Sequence, residues 1–412
     1  MLTTASALGT LAAARCLGEK GVPLILVDAE RFTPVAWSRY VVRREASPKV
    51  RPVARFVDAL AAFGDRHPGH VLYPTSDDLA WTLAEREPVL RRSFRLLTPP
   101  FPSLVRVLDK RELYAACADV GVAVPETWFP ERDADLERVA AAARFPVIIK
   151  PRAQVFFTSA RKGVIVRSPL ELASRYRDFL LANRYEAAIA DERPHMARPM
   201  IQELHPGEPV YSVSGFCVPR RNLFVARGAR KVLQWPRQAG VGIAFADAPL
   251  DAALAEGVRR LCSATGFFGV FEAEFVATGA GMRLIDFNPR LFNQVGFDVA
   301  RGLPSPYFAY LLALGDTARL DAAVEEARAW RSDGRATYEY GSMIAWTRVA
   351  ERLAGRRAGR TESHTNAGNA AIVEAVMDGE DWLPGLVDHL RQLGTALVHP
   401  RSTLRAAARG YG

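Results

Sequence analysis

Residues 267–290, FFGVFEAEFVATGAGMRLIDFNPR, read as two β-strands joined by a short polar turn. Glu272 and Glu274 are two residues apart on the first strand, so both carboxylates project from one face of the sheet. Pairing across the turn brings Glu274 close to Asp286 on the second strand. Two carboxylates and the carboxamide of Asn288 are hard oxygen ligands of the kind that Mg²⁺ takes together with substrate phosphates. The stretch therefore predicts a metal site, and an ordinary hairpin with acids on its wet face is the alternative.

Arg290 lies just beyond these ligands, where a fixed cation would hold a carboxylate or a transferring phosphoryl group. The pattern E-F-x(9)-I-D-F-N-P-R resembles the metal-binding strands of the ATP-grasp superfamily, which includes biotin carboxylase, carbamoyl-phosphate synthetase and the D-alanine–D-alanine ligases. In that family an acid on the first strand, and an acid and an asparagine on the second, bind the Mg²⁺ ions that bridge the ATP phosphates. The resemblance puts these roles on Glu274, Asp286 and Asn288. It also places Arg290 at the acyl substrate and keeps Glu272 in reserve.

The composition indicates a globular protein of two or three domains, since 412 residues with 49% hydrophobic and 24% charged side chains can bury a sizeable core. No apolar run approaches the ~20 residues that span a bilayer, and residues 1–9 lack the pattern of a signal peptide. The four scattered cysteines fit reduced thiols in a cytoplasm. The net charge of +9 would attract anionic substrates such as ATP without requiring nucleic acid.

Residues 1–105 alternate helix and strand patterns, which is the rhythm of βαβ units with a parallel sheet. The resemblance identifies this part with the domain that precedes ATP-grasp modules. Residues 3–9 look like the loop after a first strand, and that strand itself is predicted to be missing. A dinucleotide-binding role is the alternative, but no G-x-G-x-x-G motif is present and Asp28 reads as a strand-end acid.

The resemblance places three lysines on the ATP phosphates. Lys110 opens a helix in residues 107–127, VLDKRELYAACADVGVAVPET, where a solvated lysine is the alternative. Lys150 ends a buried strand, FPVIIKP, and burying its ammonium without an anion such as phosphate is costly. Lys162 follows the loop that covers the phosphates in relatives, with Arg161 as its competitor.

That loop, residues 153–160 (AQVFFTSA), departs from the family pattern. It carries Phe156 and Phe157 where relatives have glycines, whose bare backbone amides can close over phosphates. The mechanism of the lid is therefore left open. The aromatic pair packs either against a bulky substrate or against a neighbouring domain.

Residues 199–208, PMIQELHPGE, resemble the strand after which the family's backbone reads the adenine edge. Gln202, Glu203 and Leu204 match the adenine segment, and Glu208 is the nearest candidate for the ribose hydroxyls. In the basic run that follows, Lys231 takes the place of a lysine that approaches the phosphates or the acyl phosphate in relatives. A solvated charged surface is the alternative for Lys231.

These features predict a mixed α/β and α+β protein of three parts. An N-terminal parallel α/β domain covers residues 1–105, a two-lobed ATP-grasp module covers 106–312, and a mostly helical C-terminal tail covers 313–412. The resemblance does not reach the tail, in which the basic and turn-rich residues 354–367 indicate a linker. Its helices are left with three uses: covering the active site, forming a homodimer or binding another partner.

The resemblance implies an ATP-dependent carboxylate–amine ligase. Such an enzyme activates a small-molecule carboxylate as an acyl phosphate, joins it to an amine and releases ADP and phosphate. The implied cofactors are ATP and Mg²⁺, with Mn²⁺ as an alternative metal, and the expected catalytic residues are Arg290 and Lys231. A small-molecule phosphotransferase on the same scaffold and a degenerate ATP-binding module are the alternatives. No nucleic acid and no membrane partner are expected.

Overall fold

A computed structural model describes residues 1–3, 8–158, 163–235, 240–332, 334–353 and 371–398. The predicted linker 354–367 lies outside these residues, as do residues 4–7 of the predicted first loop. Within the part of the chain that the structure describes, no helix is long and apolar enough to cross a membrane. The four cysteines are free and buried.

The N-terminal part has the predicted alternation of helices with short parallel strands. Its β1, β2 and β3 form one parallel sheet, and β4 and β5 form a second parallel pair. Its elements are β1 Leu2–Thr3, α1 Leu8–Glu19, β2 Leu24–Asp28, a 3₁₀ turn Pro34–Trp37, β3 Val41–Ala46, α2 Val53–Arg66, β4 His70–Leu72, α3 Asp77–Glu85, α4 Glu87–Leu90 and β5 Phe94–Leu96.

The expectation that the first strand is missing is wrong. Leu2 and Thr3 pair in parallel with Leu26 and Val27, and the amino group of Met1 donates a hydrogen bond of 2.7 Å to the Val71 carbonyl. A strand of two residues is too short to show an alternating pattern of its own. It forms because β2 provides a neighbouring edge with which it pairs.

A four-stranded antiparallel sheet follows, in the order β6-β11-β7-β9, with Lys150 at the end of the inner strand β7. The elements of this lobe are α5 Phe101–Leu108, α6 Lys110–Asp119, β6 Thr127–Trp128, α7 Ala134–Ala142, β7 Val147–Lys150, β8 Phe157–Thr158, β9 Val164–Val166, α8 Pro169–Ala182, β10 Arg184–Tyr185, α9 Ala187–Ala190, a 3₁₀ turn Pro194–Ala197 and β11 Met200–Glu203.

A seven-stranded sheet in the order β16-β15-β12-β13-β14-β17-β18 dominates the rest of the chain. Apolar side chains alternate along its strands, so that Val213 and Cys217 join one buried cluster and Phe216 and Val218 another. The elements are β12 Val210–Val218, a 3₁₀ turn Pro219–Arg221, β13 Leu223–Trp235, β14 Val241–Ala248, α10 Ala252–Thr265, β15 Gly269–Thr278, β16 Gly281–Asn288, α11 Val295–Ala300, α12 Ser305–Leu314, α13 Thr317–Ala329, β17 Thr337–Glu339, α14 Gly341–Leu353, β18 Ile372–Glu374 and α15 Leu383–Val398.

The C-terminal tail is helical over α13, α14 and α15, but it also extends the large sheet. β17 pairs antiparallel with β14, and β18 pairs in parallel with β17. The tail also reaches the N-terminal part through Arg15, whose guanidinium donates to Asp381 Oδ2 at 3.0 Å and to the Val376 carbonyl at 2.7 Å. The described part of the tail therefore packs against both the large sheet and the N-terminal part of the chain.

A buried ion cluster lies beneath the large sheet. Arg301 donates to Asp247 Oδ1 at 2.6 Å, to Asp298 Oδ1 at 2.7 Å and to the Gly228 carbonyl at 2.6 Å. Its guanidinium also stacks on the Phe297 ring, 3.9 Å from the ring centroid. Burial raises the pKa of Asp298, and the nearby charge of Arg301 opposes that rise. One arginine thus binds two buried carboxylates and a backbone carbonyl.

Candidate active site

The hairpin of β15 and β16 has the predicted register. Glu274 lies opposite Asp286, and Glu272 lies opposite Asn288. The turn is tight because Gly281 adopts a φ of 106°, which favours glycine, and Thr278 Oγ1 donates to its carbonyl at 2.7 Å. A bulge after Glu274 keeps the two carboxylates side by side. The predicted closeness of Glu274 and Asp286 is therefore observed.

Lys231 reaches across the sheet to the first of these carboxylates. Its Nζ donates to Glu274 Oε1 at 2.7 Å, and the lysine side chain is only 9% exposed. Burial alone would lower the pKa of Lys231, but the charge of Glu274 and its hydrogen bond outweigh burial and raise that pKa. Lys231 is therefore a fixed, buried cation at the metal-type ligands and not part of a solvated surface.

Lys110 binds the second carboxylate, Asp286, through an ion pair. The preceding residue holds it there: Asp109 caps helix α6 by accepting from the Arg111 amide at 3.1 Å. Both oxygens of Asp109 also accept from the buried guanidinium of Arg152, and the Lys110 amide donates to the Arg152 carbonyl at 3.1 Å. These hydrogen bonds fix the start of α6 against the end of β7.

The same hydrogen bonds place Lys150 next to Lys110, because Arg152 is two residues beyond Lys150. Burial and the neighbouring charge of Lys110 together lower the pKa of Lys150 to about 8, against the attraction of Asp286 and Glu274. Burial would raise the pKa of Asp286, but the charge and hydrogen bond of Lys110 outweigh burial and hold it at about 2. The site therefore keeps Asp286 ionised and holds Lys150 close to neutrality.

Arg290 ends the hairpin and is held on two sides. Its Nε donates to Asp77 Oδ1 at 2.7 Å and its Nη2 to Asn288 Oδ1 at 3.1 Å. Burial would lower the pKa of Arg290, but Asp77 outweighs it and raises that pKa. Asp77 lies in the first turn of α3, so the N-terminal part of the chain positions this arginine.

Glu272, the reserve acid, lies in a polar but buried setting. It accepts from Ser212 Oγ at 3.0 Å, from Asn288 Nδ2 at 3.0 Å and from Gln294 Nε2. Burial raises the pKa of Glu272 to about 8, with Glu274 adding to the rise. Its hydrogen bonds hold Asn288 in place beside Asp286.

The adenine-type segment follows β11 and faces the same cavity. The side chain of Gln202 is turned away into hydrogen bonds with Tyr114 Oη at 2.9 Å and Thr127 Oγ1 at 2.8 Å. Glu203 accepts from Arg283 at 3.4 Å. These side chains are engaged with the protein, and the Glu203 amide donates to the Glu126 carbonyl at 2.9 Å.

A cleft of about 1140 Å³ connects these groups. It is walled by the antiparallel lobe, by the large sheet and by the tail segment that leads into β17. The predicted site residues in its lining are Lys150, Gln202, Glu203, Leu204, Glu208, Lys231, Glu274, Asp286, Asn288 and Arg290. Lys110 joins them through its bond to Asp286. Lys162 and its competitor Arg161 lie outside the described residues.

The described part of the aromatic loop packs against the N-terminal part of the chain. Phe156 is completely buried with a φ of 51°, and its amide donates to Asp78 Oδ1 at 2.6 Å. Arg51 binds Asp78 and lies over the Phe156 ring. Phe157 packs on Tyr185. Of the two readings of the aromatic pair, packing against a neighbouring domain fits Phe156.

The donor set suits a hard divalent cation. Glu274, Asp286 and Asn288 each offer side-chain oxygen, and the register places Glu274 opposite Asp286, two residues before Asn288. Among the described residues no group of three or more His, Cys, Asp or Glu side chains could hold a metal ion by itself. Two carboxylates and an amide leave coordination positions open, which matches Mg²⁺ bound jointly with substrate phosphates and not a closed protein cage.

Four supporting residues were missed by the sequence analysis: Asp77, Arg152, Ser212 and Gln294. Asp77 follows Ser76, whose side chain caps α3, so the sequence indicated a helix start there. It gave no indication that Asp77 binds Arg290, which lies 213 positions away. Arg152 stands two residues after Lys150, and a charged residue at a strand end was a usable signal. The sequence around Ser212 and Gln294 gives no signal that they support the site.

Comparisons with known proteins bear on the fold of the chain. The sequence is 25% identical over 235 residues to the large chain of carbamoyl phosphate synthase from Thermus thermophilus, an alignment that covers 54% of this chain and 21% of that protein. The chain thus spans about a fifth of the length of the curated relatives it matches. No family model matches the sequence.

Two solved structures share the fold. One is the biotin carboxylase domain of 2-oxoglutarate carboxylase from Hydrogenobacter thermophilus, a dimer in complex with MgADP, ADP and bicarbonate: TM-score 0.60, 15% identity, 76% of this chain and 69% of that chain. The other is an L-amino acid ligase from Bacillus licheniformis: TM-score 0.56, 14% identity, 76% of this chain and 73% of that chain. The resemblance to ATP-grasp proteins is confirmed at the level of the fold.

Proposed function

We propose that this chain, which has the ATP-grasp fold, is an ATP-dependent ligase that joins a small-molecule carboxylate to an amine. One observation carries the proposal: Lys110, Lys150, Lys231 and Arg290 converge on one cleft with the oxygens of the β15–β16 hairpin. Cations and oxygen ligands in this arrangement suit phosphoryl transfer, in which catalysis is positioning and charge neutralisation. The amino acid ligase that shares the fold supports amide formation as the chemistry.

In the proposed reaction a carboxylate oxygen attacks the γ-phosphorus, and the bond to the β,γ-bridging oxygen breaks to release ADP. The amine nitrogen then attacks the acyl carbon of the acyl phosphate and loses a proton. Phosphate leaves with the oxygen that the carboxylate brought. Mg²⁺, when bound by Glu274, Asp286 and Asn288, would neutralise charge on the phosphates.

The remaining roles, which are to bind and orient the substrates, belong to side chains and backbone of this chain. Lys110 and Lys150 hold phosphate oxygens, and Lys231 lies where charge develops on the transferring group. Arg290, fixed by Asp77 and Asn288, orients the attacking carboxylate. The backbone of 202–204 faces the adenine, and Glu208 the ribose. The four free and buried cysteines fit the reducing cytoplasm in which we place this reaction.

The direct test is the release of ADP and phosphate across a panel of carboxylates paired with amines, with each carboxylate labelled with ¹⁸O. A ligase transfers one label to the released phosphate and forms an amide. A phosphotransferase yields a stable phosphorylated substrate and no free phosphate. Binding of Mg·ATP without turnover across the panel supports a degenerate module and contradicts the ligase.

A second prediction concerns the pH dependence of ATP binding. With its pKa lowered to about 8, Lys150 loses its charge as pH rises through that value, and a bound phosphate restores it. The dissociation constant for ATP is therefore expected to rise up to about tenfold per pH unit above pH 8, with uptake of a proton on binding. Titration calorimetry between pH 7 and 9 in buffers of different ionisation enthalpy measures both.

The matched control is Lys150→Arg, since a guanidinium stays charged throughout this range. Its dissociation constant is expected to rise less steeply with pH between 8 and 9 than that of the wild type. If the dissociation constant for ATP rises equally steeply with pH in the wild type and in Lys150→Arg, a group other than Lys150 titrates.

A further inference from the structure

The segment 153–158, which the structure describes throughout, follows β7 and presents one polar side chain to the cleft. Ala153, Val155 and Phe156 are buried. The side chain of Gln154 is exposed, and it lines the same cleft as Lys150. A side-chain amide carries N–H donors of the kind from which phosphate oxygens accept hydrogen bonds. Gln154 therefore offers a donor to a ligand in the cleft, within a segment that contains no glycine.

The backbone on both sides of Gln154 is held by hydrogen bonds. The Ala153 carbonyl accepts from Tyr185 Oη at 2.7 Å, and the Phe156 amide donates to Asp78 Oδ1 at 2.6 Å. Phe156 has a φ of 51°, which a large side chain rarely adopts and which persists only where surrounding contacts enforce it. Groups of the chain itself therefore set the position of Gln154.

Arg51, from the N-terminal part of the chain, completes the anchor of this segment. Its Nε donates to Asp78 Oδ2 at 2.8 Å, and its Nη1 donates to Thr158 Oγ1 at 2.9 Å. Its guanidinium also lies over the Phe156 ring, 5.7 Å from the ring centroid. Neither Asp78 nor Arg51 is part of the cleft lining. Any effect of these two residues on a ligand in the cleft must therefore act through the segment that they hold.

We propose that Gln154 donates a hydrogen bond to a phosphate oxygen of the bound nucleotide, and that Asp78 and Arg51 are positioning residues for it. This inference rests on the proposed function, because it adds a contact to the same ATP site. Glycine-rich loops bind phosphate through backbone amides. Here a side-chain amide takes that part, on a segment that is anchored by the protein. Because the anchor fixes the segment beforehand, nucleotide binding loses less conformational entropy.

The first test compares the binding of Mg·ATP and of adenosine to the full chain by titration calorimetry. Gln154→Ala is expected to raise the dissociation constant for Mg·ATP about tenfold, as the loss of one hydrogen bond to a charged group, and to leave that for adenosine unchanged. Gln154→Glu, which places a carboxylate beside the phosphates, is expected to weaken Mg·ATP binding further. Gln154 is exposed, so neither change is expected to affect folding. Unchanged affinity of Gln154→Ala for Mg·ATP, or an equal loss for adenosine, overturns the proposal.

Arg51→Met tests the anchor. Without Arg51 the segment holds Gln154 in place for only a fraction of the time, and the apparent dissociation constant rises in inverse proportion to that fraction. The dissociation constant for Mg·ATP is therefore expected to rise by less than in Gln154→Ala, with none of the loss appearing for adenosine. Adding Gln154→Ala to Arg51→Met is expected to give the affinity of Gln154→Ala alone, because both changes act on one contact. Losses that add in the double variant overturn the positioning role.

Arg177→Met is the matched control for Arg51→Met. Arg177 lies in the same lobe and donates to Asp133 Oδ2 at 3.0 Å, but both side chains are more than half exposed. Its affinity for Mg·ATP is expected to equal that of the wild type. A wild type that does not bind Mg·ATP overturns the proposed function together with this inference. If the wild type binds Mg·ATP and Gln154→Ala binds it equally well, this inference alone is overturned.

Discussion

Replacing Glu274 with glutamine is expected to lower the turnover number for ADP release on the order of 10³-fold. A bound metal ion stabilises transition-state charge by several kcal/mol, and each 1.36 kcal/mol corresponds to a factor of ten in rate. The change removes one of the two carboxylates that pair in register, and it leaves Lys231 without its partner at 2.7 Å. The measurement is steady-state ADP release as a function of Mg²⁺ concentration, on the substrate pair found by the labelled panel.

Two companion variants separate the causes. In Glu274→Gln with Lys231→Met no buried lysine is left unpaired, so thermal stability is expected to recover while turnover stays low. Glu272→Gln tests the reserve acid, which lies opposite Asn288 in the same hairpin. If Glu272→Gln rather than Glu274→Gln changes the Mg²⁺ requirement, the metal is held by the Glu272–Asn288 pair. Wild-type turnover in Glu274→Gln would contradict the proposed metal site altogether.

Replacing Arg301 with methionine is expected to destabilise the fold by about 3–5 kcal/mol at neutral pH, since removing one partner of a buried ion pair leaves an uncompensated charge. Here two carboxylates lose their partner at once, Asp247 at 2.6 Å and Asp298 at 2.7 Å. The loss is expected to shrink towards pH 5. Burial raises the pKa of Asp298 and the loss of Arg301 removes the charge that opposes this rise, so the folded variant gains a proton, and stability, as pH falls.

Urea denaturation at pH 8 and pH 5, followed by circular dichroism, measures this difference. The matched control is Arg221→Met, because Arg221 binds both oxygens of Asp321 at 2.8 and 2.9 Å but at the surface. An exposed pair of this kind contributes at most about 1 kcal/mol, with little dependence on pH. An Arg301→Met variant as stable as the control would show that the ion cluster around Arg301 does not stabilise the fold.

The sequence predicted those parts of the fold that carry a long local pattern. The strand that ends at Asp28 and the helix that begins at Lys110 show their period over enough residues to be recognised. Several strands of two or three residues escaped prediction, among them β1, β17 and β18. β1 and β17 pair with the edges of the longer strands β2 and β14, and β18 pairs in turn with β17, so no pattern within the short segments encodes them.

The same distinction applies to the candidate site. The pairing of Glu274 with Asp286 followed from the strand period and the turn, because both lie within one hairpin. The anchors of the cationic residues came from distant parts of the chain: Asp77 holds Arg290 from 213 positions away, and Asp109 binds Arg152 from 43. The roles of the predicted residues stay predictions, whereas the presence of ten of them in the lining of one cleft is a structural observation.

The contact between Arg15 and Asp381 has a consequence for synthesis of the chain. A ribosome produces Arg15 before its carboxylate partner, which follows 366 residues later. Until then helix α1 carries an arginine whose final position is almost completely buried, next to carbonyl groups that do not yet exist. This part of the chain therefore cannot complete its packing before residue 381 is made, and a chain that terminates before that point would expose this unfinished surface to the cell's quality control.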